Sequence, residues 1–211
     1  MKAEYIEHMG NDLRVVNAAR VSMNKEHQEF QGNDVGLIKY LATHNHWTPF
    51  SHPMITMRET IPIFVARQRF KHMVGFTYNE VSRRYVDDTP EFYTPEVWRS
   101  RPDGNIKQGS GDTHPYTKNI SEGYAEIVKE LEGFYLEMIE NGVAPEQARM
   151  ILPQSMYTSY YVTGSLAAWA RAYKLRIDAH SQLEIQELAK QWGNLIQPLF
   201  PVSWAALTGE D

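Results

Sequence analysis

The chain contains no cysteine. That absence excludes disulfides, cysteine-held zinc and a thiolate nucleophile. There is no run of about 18 apolar residues long enough to cross a bilayer. The N-terminal MKAEYIEHMGND has no apolar signal-peptide core, so a soluble, cytoplasmic protein without a membrane partner is expected. Cations are outnumbered: 21 Lys and Arg against 26 Asp and Glu leave a formal charge of −5, which argues against a general binder of nucleic acid or anionic membranes. No Gly-x-Gly-x-x-Gly occurs, which disfavours a Rossmann flavoprotein, and there is no internal repeat or low-complexity tract. What is present, 211 residues of which 42% are hydrophobic, suffices for one domain, 1–211, with its own core.

Against this acidic background one stretch reverses sign. Residues 62–88, PIFVARQRFKHMVGFTYNEVSRRYVDD, carry Arg67, Arg69, Lys71, Arg83 and Arg84 with only Glu80 opposed before the closing Asp pair. Pro62 suits a first helical turn, and Ile63, Phe64, Ala66, Phe70 and Met73 recur at helical spacing, which predicts a helix over 62–73. Gly75 ends it, and 76–82 reads as an extended segment entering Ser82-Arg83-Arg84-Tyr85. Gln68, Lys71 and His72 fall on one side of the helix. Such a cluster suits an anion, and phosphate on a small molecule fits better than a polyanion.

The remaining pattern alternates helices and strands. A strand is expected over 3–9, then a helix capped by Asn11 or Asp12 and a polar loop over 23–33. Asn33 or Asp34 caps a further helix with Val35, Leu37, Ile38, Leu41 and Ala42 inward. His44, His46 and His52 lie close together, but no acidic third ligand stands nearby and no metal is assigned. Residues 54–60 alternate as a strand, and 101–115 reads as a surface loop. Asn119 and Glu122 have capping-box spacing for the longest helix, about 121–140. Its stripe of Tyr124, Ile127, Val128, Leu131, Tyr135, Met138 and Ile139 reads as core or a subunit interface. A short helix from Pro145 carries Arg149; a strand over 155–163, a helix after Gly164, a last helix around 179–195 and a packed strap from Pro198 complete the reading. Arg20, Arg58 and Arg99 read as solvated or structural.

Several blocks together resemble the flavin-dependent thymidylate synthases. Gln68-x-x-Lys71-His72 followed by Asn79-Glu80-x-Ser82-x-Arg84-Tyr85 is similar to that family's Arg-His-Arg signature. Lys71, His72 and Met73 occupy the three signature positions, and eight residues separate Met73 from Ser82, one more than in the pattern. Arg69, one helical turn before Met73, is a candidate to replace the missing cation. Ala18-Ala19-Arg20-Val21-Ser22, His46-x-Thr48-Pro49-Phe50-x-His52, Ala148-Arg149-x-x-Leu152-Pro153 and Leu175-Arg176-x-Asp178-x-His180-x-Gln182-x-Glu184-Ile185 match further blocks in the same order. Ser51 stands where the family commonly has Glu, and Arg171 where it usually has Asn or His.

The resemblance implies an α+β fold, a twisted and mainly antiparallel sheet with helical bundles, assembled as a homotetramer with shared active sites. It implies that NADPH reduces bound FAD, that hydride passes to the uracil ring of dUMP, and that methylenetetrahydrofolate supplies the carbon. It places dUMP against Gln68, Arg69, Phe70 and Lys71 of one chain and Glu80, Val81, Ser82, Arg83, Arg84, Arg149 and Arg176 of another. FAD falls against Thr48, Lys71, His72, Met73, Glu80, Ser165, Leu166, Ala167, Arg171 and His180, with Ser22 and His46 near its ring. Chemistry agrees where it can be checked: guanidiniums suit phosphate oxygens, and a cation at N3 and O2 stabilises charge developing on the pyrimidine, the catalytic role implied for Arg176. Two other readings stay open, a nucleic-acid-binding helix without enzymatic activity and a relative that binds dUMP without synthase turnover.

Overall fold

The computed structural model describes residues 1–102, 104 and 109–210. Among them the strands β1 (Lys2–Met9), β2 (Met54–Pro62), β3 (Phe76–Glu80) and β4 (Tyr157–Ser165) form an antiparallel sheet in the order β1-β2-β4-β3. In the central pair Ile55 faces Gly164, Met57 faces Val162 and Glu59 faces Tyr160. Side chains alternate across a strand, so Ile55, Met57, Glu59, Ile61, Tyr160 and Val162 share one buried face. The opposite face is polar: Thr56 and Thr163 hydroxyls meet at 2.9 Å, and Arg58 Nε donates to Ser159 Oγ at 3.0 Å. The mixed helix and antiparallel-sheet architecture is the α+β class expected.

The helices are α1 (Asp12–Arg20), α2 (Gly32–Thr43), α3 (Ile63–Arg69), α4 (Thr117–Glu140), α5 (Pro145–Ala148), α6 (Leu166–Arg176), α7 (Leu183–Ile196) and α8 (Pro201–Thr208). Ile185, Leu188, Ala189, Trp192 and Ile196 make one buried stripe of α7, at the spacing that keeps an apolar face turned inward. Trp169 on α6, Trp192 on α7 and Trp204 on α8 have no exposed surface, and the first two pack edge to face with centroids 5.5 Å apart. Gly164 lets Phe76 lie flat against β4; a Cβ there would sit 2.4 Å from the ring. No helix among the described residues is long and apolar enough to cross a membrane.

Several boundaries differ from the sequence reading, each for a local reason. Gln31, not Asn33 or Asp34, is the N-cap of α2. The buried Asp34 carboxylate accepts the Gln31 N–H (2.9 Å) while also accepting from Arg20 Nη2 (2.8 Å) and His27 Nδ1 (3.0 Å). Asp12 caps a helix remote in sequence, accepting the Val202 and Ser203 N–H groups of α8, both at 2.9 Å. That helix replaces the expected strap, with Pro201 in its first turn and Gly209 left-handed after it. α3 stops at Arg69, and Pro62 precedes it as N-cap. α4 begins at Thr117, and of its apolar stripe only Tyr135 is buried; Ile127 is 59% exposed, and Tyr124, Val128, Leu131, Met138 and Ile139 are half-buried. The stripe is therefore not core within the chain. α7 begins only at Leu183, because Asp178 accepts both the N–H (2.8 Å) and Nδ1 (2.9 Å) of His180 and holds 178–182 in a turn. Part of the 101–115 loop is ordered by a bridge between Arg99 and Thr113; its residues 103 and 105–108 lie outside the described residues.

Candidate active site

The basic stretch folds into a helix end, a turn and a strand, so its cations part company. Arg69, the last residue of α3, points into the core and has no exposed surface. Its Nε lies 3.0 and 3.2 Å from the two carboxylate oxygens of Glu59, and Nη2 is 3.3 Å from Oε1. The rings of Phe76, Tyr78, Trp169 and Trp192 surround the guanidinium at 4.6 to 5.2 Å. Arg69 is thus unavailable to substrate, and it does not replace the cation missing at Met73. Burial opposes its charge, but the Glu59 carboxylate prevails and raises its pKa. Beside Met73, which is 72% exposed, the cation present is Arg171 of α6, whose Nη2 donates to the carbonyl of the next residue, Val74.

Beyond Arg69 lies a relay of hydrogen bonds that passes through the covalent frame of His72. Its Nη1 donates to the Tyr78 hydroxyl at 2.6 Å, and that hydroxyl donates to the His72 carbonyl at 2.6 Å. The His72 ring is buried, and its Nε2 accepts from Arg176 Nε at 2.8 Å. Burial first, then the cations of Arg176, Arg69 and Arg171, push the His72 pKa down to about 4. The ring is therefore neutral near pH 7, carrying its proton on Nδ1 and a lone pair on Nε2. Arg176 is half-buried at the end of α6, where burial and then Arg69 lower its pKa from the ordinary arginine value.

The expected substrate residues divide between two recesses. One, of 560 Å³, is lined by Gln68, Arg99, Arg176, His180 and Gln182. Gln68 Nε2 donates to Gln182 Oε1 across it, and Arg99 reaches it from a 2.5 Å pairing with Glu184. The other, of 900 Å³, is lined by Glu80, Val81, Ser82, Arg83, Arg84 and Arg149, together with Arg58 and Ser159 from the polar sheet face. Arg176 therefore sits with Gln68, not with Ser82 and Arg149 as the grouping by chain anticipated. Arg83 is turned onto Asp88 (3.0 Å), whereas Arg84 rests on Ser82 Oγ (3.3 Å) and Arg149 is exposed. Phe70 packs on the Tyr78 and Tyr160 rings, and Lys71 is exposed.

Of the expected cofactor residues, Glu80 and His180 line the two recesses above, and the rest that border a recess fall in two groups. Ser165, Ala167 and Arg171 border a 420 Å³ recess with Asn45, Trp47, Gly75 and Lys174, the last not anticipated from the sequence. Ser22, His46 and Thr48 border another of 520 Å³, which shares Asn45 and Trp47 with the first. Leu166 has no exposed surface and its side chain belongs to the core, so it is withdrawn as a ligand contact. His72 lies behind Arg176 rather than on the surface. Sequence reasoning missed Arg58 and Arg99 as recess residues. For Arg58 a signal existed, because the alternation of β2 puts it on the face opposite Met57; for Arg99 there was none.

Comparison with known proteins identifies the relatives of this arrangement. The family model of the thymidylate synthase complementing protein matches residues 4–202. This chain belongs to that family. Similar members of the thymidylate synthase complementing protein family include the flavin-dependent thymidylate synthase of Thermotoga neapolitana, 37% identical over 203 residues, which span 96% of this chain and 88% of that protein. The enzyme of the same name from Thermus thermophilus is 34% identical over 95% of this chain and 73% of its own length. Among solved structures, the UMP/dUMP methylase PolB from Streptomyces cacaoi, bound with 5-Br dUMP, superposes with a TM-score of 0.88. It is 28% identical, and the match covers 99% of this chain and 94% of PolB.

Proposed function

We propose that this chain methylates dUMP reductively to dTMP, with methylenetetrahydrofolate as carbon donor and NADPH as the source of reducing equivalents for FAD. The observation that carries the reading is Arg176. In a chain without a cysteine nucleophile, a cation held by a neutral histidine faces a recess beside Gln68 and Gln182. There it stabilises negative charge developing at N3 and O2 of a pyrimidine, which makes the ring electrophilic without covalent attack. The phosphate is assigned to Ser82, Arg84 and Arg149 in the 900 Å³ recess, with Arg58 behind them.

Among the described residues the two recesses share no lining residue. A site in which Gln68 and Lys71 of one copy meet Glu80 to Arg84 and Arg149 of another reconciles this with one small substrate. The incompletely buried apolar stripe of α4 supports self-association, and a homotetramer of single-domain chains is the assembly inferred. The residues around Arg171 suit FAD: two cations, Arg171 and Lys174, for its phosphates, the exposed face of Trp47, and a wall of small residues, Gly75 and Ala167, at the start of α6. Ser165, with Thr48, Ser22 and His46 in the neighbouring recess, completes the set, and Lys71, Met73, Glu80 and His180 are assigned to its edge. Bound FAD supplies hydride transfer, which no side chain here provides.

The test is an absorption spectrum of the purified protein after FAD is added and the excess removed, repeated with dUMP, followed by a dTMP-formation assay. Retained flavin whose spectrum shifts with dUMP, together with dTMP formation, is expected. Protein that binds dUMP but neither retains flavin nor forms dTMP would overturn the proposal in favour of a nucleotide-binding relative.

A further inference from the structure

The relay that ends on Arg176 begins at a group no reaction at the surface can reach. Glu59 lies on the buried face of β2, Arg69 at the end of α3, Tyr78 on β3, His72 in the turn between them and Arg176 at the end of α6. Five segments thus converge through hydrogen bonds joined by the backbone and ring of His72. Tyr78 is the joint: its hydroxyl accepts from Arg69 Nη1 and donates to the His72 carbonyl, both at 2.6 Å. Burial is the main reason its pKa is pushed up to about 12, so the phenol keeps the proton it donates. Among the described residues Arg176 uses only its Nε–H on the protein, leaving its terminal nitrogens for the recess.

We infer that Tyr78, anchored by the buried Glu59–Arg69 pair, is a positioning residue: it fixes the backbone of His72 so that the ring holds Arg176 Nε and directs the guanidinium's terminal nitrogens at the pyrimidine. The inference rests on the catalytic role proposed for Arg176. A guanidinium free to turn about its last side-chain bonds would meet the ring in many orientations, and positional errors near 1 Å reduce rates on the order of 100-fold. His72 suits the holding role because a neutral imidazole accepts a hydrogen bond that an imidazolium cannot. Tyr78 never touches substrate in this arrangement, so its effect travels through the His72 backbone.

The same cluster supplies a matched control. Tyr160 also donates its hydroxyl to Glu59, but does not bond to His72. Tyr78→Phe and Tyr160→Phe each remove one phenol oxygen from the same ion-pair cluster and keep the ring. Tyr78→Phe is expected to lower kcat for dTMP formation by about 10-fold or more with little change in KM for dUMP, the signature of an interaction lost chiefly in the transition state. Nitrogen NMR of labelled histidine should show the His72 Nε2 signal moving toward that of an unbonded ring. Tyr160→Phe is expected to reduce stability but to leave kcat and the His72 signal near the parent values.

Parental kcat in a folded Tyr78→Phe, or equal kcat losses in the two variants, would overturn the inference. Should Tyr78→Phe not fold, Arg69→Lys takes its place, because a lysine ammonium lacks the planar fork by which Nε and Nη2 meet Glu59 while Nη1 reaches Tyr78; parental kcat there is equally damaging. Arg176→Ala separates the two levels. Turnover surviving in that variant would remove the catalytic assignment itself, whereas lost turnover there with an unaffected Tyr78→Phe would remove only the positioning role.

Discussion

Replacing Glu59 by Leu is the sharpest test of how this core is held together. The substitution would leave the Arg69 guanidinium, which has no exposed surface, without its counter-ion. Removing one partner of a buried ion pair costs about 3–5 kcal/mol, because the remaining charge stays desolvated. The four aromatic rings around Arg69 soften nothing in the difference, since they surround it in parent and variant alike. At about 2–4 °C per kcal/mol for a chain of this size, the melting temperature should fall by roughly 6–20 °C. Urea unfolding followed by tryptophan fluorescence suits the measurement, as Trp169 and Trp192 lie beside the pair. The triple variant Glu59→Leu/Arg69→Met/Tyr160→Phe removes both charges and also the Tyr160 hydroxyl, which would otherwise lose its carboxylate acceptor. Apolar replacement of a whole buried pair is neutral or stabilising by about 1–4 kcal/mol, so most of the loss should return. A single variant within about 1 kcal/mol of the parent, or a triple no more stable than the single, would refute the account of a desolvated cation held by one carboxylate.

Two further outcomes concern pH and packing. The folded state holds His72 at about 4 against an ordinary value of 6.5, so folding excludes a proton that the unfolded chain binds, and His72-linked stability should be lost as pH falls from about 6.5 toward 4. Urea midpoints at both ends of that range, compared with His72→Gln, read this directly; a variant with the parent's pH dependence would contradict it. Gly164→Ala drives a methyl to 2.4 Å from the Phe76 ring and should destabilise by about 1–3 kcal/mol. By contrast Gly36→Ala, in α2 with nothing within 4 Å of the added methyl, should stabilise by about 0.5–1 kcal/mol. Thermal melts that rank the two alike would refute the packing argument.

Much of the fold was legible because it is governed by short-range repetition. The period-two burial of β2, the apolar stripe of α7 and the Asn141-Gly142 stop of α4 follow from side-chain direction and backbone sterics within a few residues, so local pattern suffices to read them. The same holds for the motif blocks, which single out Arg176, Ser82 and Arg149 without any knowledge of their neighbours. Where local readings failed, a remote partner had taken the residue. Asp12 could have capped its own helix but instead caps α8, 190 residues away, and Arg69 is drawn inward by Glu59.

By itself, then, the sequence determined the chemistry on offer: no thiol, a local surplus of guanidiniums and amides in an acidic chain, helices and strands in a readable order, and a set of blocks matching one family. Only the tertiary structure decided which cation is available and which is structural. That choice depends on which faces of β2, α3, β3 and α6 meet, and no periodicity records it. Arg69 and Arg176 look alike as letters. One is enclosed by four aromatic rings and a carboxylate, whereas the other is held by a single nitrogen of His72, 104 residues away, with its terminal nitrogens left for a substrate.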